Sequence, residues 1–217
     1  DVKRSSELLE AAPNGWVMEY YVGKDYSLGG ITLLCKFDGQ RVTMASQIAG
    51  ADETVSSLYS VKSEQATMLS FDTYNYLVHY FGQPQGSMAD DPNGTLGGDY
   101  EFVISDATAD RIELKGKKYG NRIVMKAFSA DQTWKQYLTR IKKVEDDAFF
   151  YEYELRMDGL YTGQMLRSNY TFIVTYYDEV GKVHQKTVPF MFTTDGMRFH
   201  EPVTIDGQTM QNFVWKN

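Results

Sequence analysis

A single cysteine, Cys35, leaves this chain of 217 residues without an intramolecular disulfide. In Ile31–Phe37 it alternates with Ile31, Leu33 and Phe37, the pattern of a small core hydrophobe rather than a reactive thiol. Histidine is nearly as scarce, and neither His79, His184 nor His200 has a second ligand three or four residues away, so no zinc motif forms. His79 and His200 read as structural residues within strands. The chain has no Gly-x-Ser-x-Gly elbow and no nucleotide-binding glycine loop, so covalent catalysis lacks a visible nucleophile. No apolar run approaches the roughly 18 residues of a membrane span. Positive charge is also short: the net charge is −7, which argues against a nucleic-acid partner.

Aromatic residues are plentiful, with 16 Tyr and 12 Phe, and suit pleated sheets that pack large flat rings. Asp-Gly pairs at 38–39, 158–159, 195–196 and 206–207 separate runs of β-forming residues. Each predicts a tight hairpin, because type I′ turns need positive φ at both central positions. Asp195-Gly196 is the clearest by its flanking strands, Val188–Thr194 and Met197–His200.

Residues 2–11 read as a short helix, broken by Pro13-Asn14-Gly15. Strands follow at Trp16–Val22, in the hairpin Ile31–Ser46, at Ser57–Ser63 and at Thr67–Phe81, this last with rings on both faces, as in a strand that is broken or buried on both sides. Residues 82–99 form the longest loop. Strands then run from Tyr100, and Arg111–Lys115 pairs with Arg122–Phe128. A helix over 131–145, capped by Ser129 or Asp131, carries Trp134, Tyr137, Leu138, Ile141 and Val144 at helical spacing. After it Tyr151–Met157 alternates strictly, and strands at Tyr170–Tyr177, His184–Thr194, Met197–Val203 and Met210–Trp215 complete the chain. The expected fold is α+β and predominantly antiparallel β: a lipocalin-like barrel or two sheet-based sub-domains, 1–130 and 131–217. Both halves read as a helix followed by hairpins, without the identity that a duplication would need.

Candidate chemistry is sparse. Glu152, Glu154 and Glu201 could supply a glycosidase pair, although Glu152 and Glu154 alternate with aromatics as solvated charge does. Asp90, Asp91, Asn93 and Gly94 place oxygen ligands on one loop, but their spacing misses the calcium-loop pattern and turn chemistry is preferred. Lys115, Lys117, Lys118 and Arg122 could hold phosphate or sulfate, against the plainer reading of a solvated hairpin tip. Tyr74, Tyr76, Tyr80 and Tyr161 are the candidate ligand-binding residues, since tyrosine rings stack on sugars and other flat ligands. No catalytic residue, metal ligand or cofactor is expected.

Several blocks carry a resemblance. Ala12–Trp16, Glu19–Tyr21, Leu69–Asn75, His79–Phe81, Gly97–Phe102, Leu114–Arg122 and Asp195–Val203 resemble a Bacteroides-type surface lipoprotein family catalogued only as a domain of unknown function (family 4302). The resemblance covers nearly the whole chain and implies location more than activity. It implies an exported protein at the outer membrane or cell surface, tethered through a lipidated N-terminal Cys that this chain does not contain. Asp1 would then follow a removed signal and anchor. This differs from the reducing compartment that a lack of disulfides hints at. It also implies an accessory role beside TonB-dependent receptor and SusD-like partners, and supplies no catalytic residues.

The combined expectation is a non-enzymatic, surface-tethered binding or assembly component of a nutrient-uptake system, with a glycan or other nutrient as ligand. A glycan-processing hydrolase with paired carboxylates and a purely structural scaffold are the alternatives.

Overall fold

The computed structural model describes residues 1–84 and 94–216. Eight strands form an up-and-down meander: β1 (Trp16–Val22), β2 (Gly29–Asp38), β3 (Arg41–Ser46), β4 (Val55–Ser63), β5 (Thr67–Phe71), β6 (Glu101–Ala107), β7 (Arg111–Gly116) and β8 (Arg122–Ala127). β1 pairs with both β2 and β8, Trp16 lying opposite Cys35 on one side and Ala127 on the other, so the sheet closes into a barrel without free edges. Eight strands leave an interior that side chains can fill or that can hold one small ligand. Trp16, Met18 and Tyr20 of β1 point inward, and with Cys35, Phe71 and Phe102 they fill the interior. Burial holds the Cys35 thiol well above its usual range.

The barrel ends differ. Helix α1 (Val2–Ala11) plugs the end with the short turns: Leu9 is buried in the barrel core, and Trp16 Nε1 donates to its carbonyl at 2.9 Å. At the opposite end β5 stops at Phe71 and leads into helix α2 (Tyr76–His79) and a 3-10 turn at Tyr80–Gly82. Of the two readings of 67–81, a broken strand or one buried on both faces, the break holds, and the part after Phe71 is no strand. Rings on both of its faces reflect a change of element: Asn75 caps α2 by accepting from Leu77 N, and Leu77, Val78 and Phe81 turn down into the barrel. His79 accordingly lies in a helix rather than a strand.

The second half is a six-stranded antiparallel sheet, ordered β14-β13-β12-β11-β10-β9. Its strands are β9 (Glu152–Met157), β10 (Leu160–Ser168), β11 (Thr171–Tyr177), β12 (Val183–Phe192), β13 (Gly196–Ile205) and β14 (Gln208–Val214). β10 is absent from the sequence reading, because Gly163 and a register shift beside it blur the alternation. Helix α3 (Trp134–Asp147) starts at Thr133, whose side chain accepts from Gln136 N while Gln136 accepts from Thr133 N. This capping box replaces the Ser129 or Asp131 cap: Ser129 also has a glutamine three residues on, but the helix begins only at Trp134, so it is Thr133 and Gln136 that bond reciprocally.

α3 is the joint of the molecule. Leu138 enters a cluster with Val17, Leu34, Ala45 and Phe128 on the outside of the barrel, while Ile141 and Val144 pack into the core of the second sheet. Trp134 Nε1 donates to Asn14 O at 3.0 Å, and Lys142 Nζ donates to Ala49 O at 2.8 Å. Gly29 bridges Tyr170 so closely that a Cβ there would overlap the Tyr170 carbonyl, which explains a glycine at this contact. Glu19, buried on the outer barrel wall, binds Lys126 of β8 and Arg198 of β13.

The Asp-Gly turns divide. Asp158-Gly159 and Asp206-Gly207 adopt positive φ at both residues, as type I′ requires. At the first hairpin Asp38 pairs with Arg41, so the loop is Gly39-Gln40 and only Gly39 has positive φ. Asp195-Gly196 is corrected: neither residue has positive φ, and the chain turns more widely from Thr193 to Gly196. Gly196 is needed instead because β14 passes so close that a Cβ would strike Phe213 O.

Candidate functional site

The mouth opposite α1 holds an apolar cavity of about 530 Å³. Val22, Leu28 and Ile31 form its barrel rim, Ile48 stands just beyond β3, and Tyr76, Tyr80 and Phe81 descend from the α2 segment. Leu96 and the β10–β11 turn residues Asn169 and Tyr170 complete the wall, so the cavity lies where barrel and second sheet meet. Its volume suits a small ligand. Among the described lining residues none is Asp, Glu, Lys, Arg, His or Cys.

Two tyrosine hydroxyls at this wall are already engaged. Tyr170 Oη donates to Glu145 Oε1 of α3 at 2.6 Å, and burial first, then Glu145, keeps the phenol protonated far above neutral pH. Tyr76 Oη donates to Glu53, which raises its pKa as well. Their rings, rather than their polar tips, are what they offer the cavity. Arg167 lies over the Tyr170 and Phe192 rings at 5.5 and 5.0 Å, holding the turn behind the wall.

A buried hydrogen-bond array fixes the remaining side of the mouth. Asp99 Oδ1 accepts from Lys118 N at 2.8 Å and Tyr119 N at 3.0 Å, and Oδ2 accepts from Asn121 N at 3.1 Å. Asn121 Nδ2 donates to Gly97 O and its Oδ1 accepts from Gly23 N. Tyr20 Oη, inside the barrel, donates to Asp99 O. Gly116 leaves space for the carboxyl, since a Cβ there would overlap Asp99. The segments 97–102 and 114–122, which carry the family resemblance, therefore meet as one structural lock. Three backbone amides that could have held an anion hold the chain's own carboxylate.

The candidate residues separate accordingly. Tyr76 and Tyr80 line the cavity; Tyr74, 64% exposed, lies beside it with its ring 5.6 Å from that of His79. Tyr161 lies on β10, near the β9–β10 hairpin, and shares nothing with them. Lys117 pairs with Glu64 at 3.0 Å and Glu101 at 3.5 Å, whereas Lys115 and Arg122 are opposite one another on β7 and β8. Glu154 is paired with Arg156 at 2.7 Å on edge strand β9, and Glu201 belongs to β13, with three strands between. Asp90, Asp91 and Asn93 lie outside the described residues, as does half of the 82–99 loop. Among the described residues no group of three or more His, Cys, Asp or Glu could hold a metal ion. Leu28, Ile48, Leu96 and Tyr170 went unnoticed as lining residues. They are single apolar positions at element ends, and no local pattern marks them.

His184 Nε2 lies 2.8 Å from Asp178, and the His79 ring stacks on Tyr100 at 4.9 Å. His200 sits at the barrel–sheet junction, its ring 4.2 Å from Tyr21 and 4.7 Å from Tyr26. Burial first, then the Arg122 charge, lowers its pKa, with Glu201 opposing. The folded state thus prefers neutral His200, while the unfolded chain titrates near the ordinary value of about 6.5. The contribution is present above that value and is lost as pH falls through the depressed folded pKa. Urea denaturation of His200→Phe should accordingly show a weaker fall in stability from pH 7 to pH 5 than the parent. Parallel pH profiles would remove His200 from this role.

The entire chain, residues 1–217, matches the family described as Domain of unknown function (DUF4302). It belongs to that family. No curated protein and no solved structure matches this DUF4302 chain. Among its described residues, no helix is long and apolar enough to cross a membrane.

Proposed function

We propose that this chain is a non-enzymatic binding protein that takes an uncharged, largely apolar or amphiphilic molecule at the barrel mouth. The observation that carries the reading is a cavity of ligand size whose described lining is apolar and aromatic apart from Asn169, without a charged side chain. Burying sugar hydroxyls against Val22, Leu28, Ile31 and Leu96 would leave them without partners, so an apolar guest is favoured over a glycan. The cavity also lacks an acid–base pair for hydrolysis among its described residues, and Glu152, Glu154 and Glu201 do not converge elsewhere. The wider setting rests on the family resemblance alone. In it the chain is a lipid-anchored accessory protein, exported to the outer membrane or cell surface of a Bacteroides-type cell. There it would serve nutrient uptake beside TonB-dependent receptor and SusD-like partners.

Fluorescence of neutral N-phenyl-1-naphthylamine tests the site. Ile48, 36% exposed, can be enlarged to Trp without disturbing the barrel core, and the new ring would occupy the cavity. Ile48→Trp should weaken dye binding roughly tenfold, about 1.4 kcal/mol, with thermal unfolding unchanged, and Tyr161→Ala should bind like the parent. Displacement by a long-chain alcohol but not by maltose is expected. Undiminished binding by Ile48→Trp, or displacement by maltose alone, would refute the apolar-ligand reading.

A further inference from the structure

The outward side chains of β1, β8 and β7 form three rows across the barrel wall. Nearest the mouth is Tyr21–Arg122–Lys115, then Glu19–Val124–Glu113, then Val17–Lys126–Arg111. The two lower rows neutralise each other. Glu19 takes Lys126 and Arg198, and Glu113 accepts from Arg111 at 2.8 and 3.2 Å. The row at the mouth is different: Arg122 and Lys115 are direct cross-strand partners, and among the described residues neither has a carboxylate within ion-pair distance. Like charges in this relation repel, on a chain whose overall charge is −7.

An aromatic wall stands beside these cations. Tyr21 is the cross-strand partner of Arg122, and its ring lies 6.0 Å from Tyr26 and 4.2 Å from His200. Tyr26 and Asp25 hold left-handed φ of 58° and 53°, a costly conformation for a tyrosine. The turn that carries them is pinned beside Arg122 by the 3.0 Å hydrogen bond from Gly23 N to Asn121 Oδ1. Strain that faces Tyr26 toward Tyr21 and His200, next to two cations without an ion-pair partner, has the marks of a built surface, although the Arg122 charge is also felt by Glu113 on the row below. Glu201 is exposed next to His200, where its charge opposes the effect of Arg122 on that imidazole.

We propose that Arg122 and Lys115, with the half-buried Tyr26 and His200 that the buried Tyr21 backs, form a second ligand site that binds an oxyanion carried on a sugar-sized ring. The guanidinium and ammonium take the sulfate, phosphate or carboxylate oxygens, and the rings take the scaffold. The site is on the outer wall, so it stands or falls independently of the apolar cavity.

Calorimetric titration and thermal unfolding of the full chain at matched ionic strength test it, with sodium sulfate, glucose 6-sulfate, glucuronate and glucose as probes. Saturable binding of the sulfated or carboxylated sugar is expected, at least tenfold tighter than inorganic sulfate, with none for glucose. Lys115→Gln/Arg122→Gln should abolish it while remaining folded, since both side chains lie on the barrel's outer face. Tyr26→Ala should weaken the sugar acids but not inorganic sulfate, which distinguishes an anion on a ring from a free anion. Equal, non-saturating effects of sulfate and chloride, or acidic-sugar binding retained in the double variant, would overturn the proposal.

Discussion

Leu138→Asp should lower the unfolding free energy by about 4 kcal/mol and the melting temperature by roughly 10 °C. Leu138 is fully buried between α3 and the barrel, among Val17, Leu34, Ala45 and Phe128. None of these neighbours can donate to a carboxylate. The nearest helix cation that reaches the barrel, Lys142, already donates to the Gln47 and Ala49 carbonyls. The charge must therefore be buried unpaired, or α3 must lift from the barrel and expose both clusters it joins. Leu138→Met keeps volume and polarity and should cost less than about 1.5 kcal/mol. Differential scanning calorimetry separates the outcomes, and an Asp variant that melts with the parent would remove the claim that α3 holds the two halves together.

Asp99→Ala should cost about 3 kcal/mol, because three inward-facing amides, those of Lys118, Tyr119 and Asn121, lose a charged acceptor at once. The residue is 3% exposed, so water cannot replace the carboxylate without opening the mouth. Asp99→Asn retains one acceptor oxygen and should cost about half as much. Hydrogen exchange at 118–121 should accelerate in both variants while β2 and β3 amides stay protected. Exchange at 118–121 unchanged in Asp99→Ala would show that the loop does not depend on this carboxylate.

The Asp-Gly pairs show how far local chemistry carries. At 158–159 and 206–207 the turn type follows from the dipeptide, since both residues take positive φ without help. At 195–196 the same dipeptide serves a contact with Phe213, a residue 17 positions later, and no local rule anticipates that. In the 67–81 segment the rings on both faces hinted at a break, but not that Asn75 caps a helix covering the barrel mouth. The stretches 97–102 and 114–122 stood out only through the family resemblance, and only their contact reveals that Asp99 fills the anion-binding amides the turn would otherwise offer. Of the tyrosines singled out for ligand binding, Tyr76 and Tyr80 share one cavity and Tyr161 lies elsewhere, because strand order rather than spacing decides which rings meet.

Antiparallel β character, the two terminal type I′ hairpins, the buried cysteine and the amphipathic α3 were legible in the chain, because each arises from side-chain alternation or backbone preference within about ten residues. Closure of β1 on β8, the wedge of α3 between barrel and sheet, the apolar mouth and the unpaired Arg122–Lys115 row belong to the three-dimensional structure alone. Each depends on residues from distant elements arriving side by side, and burial, cavity shape and charge neutralisation exist only once they have.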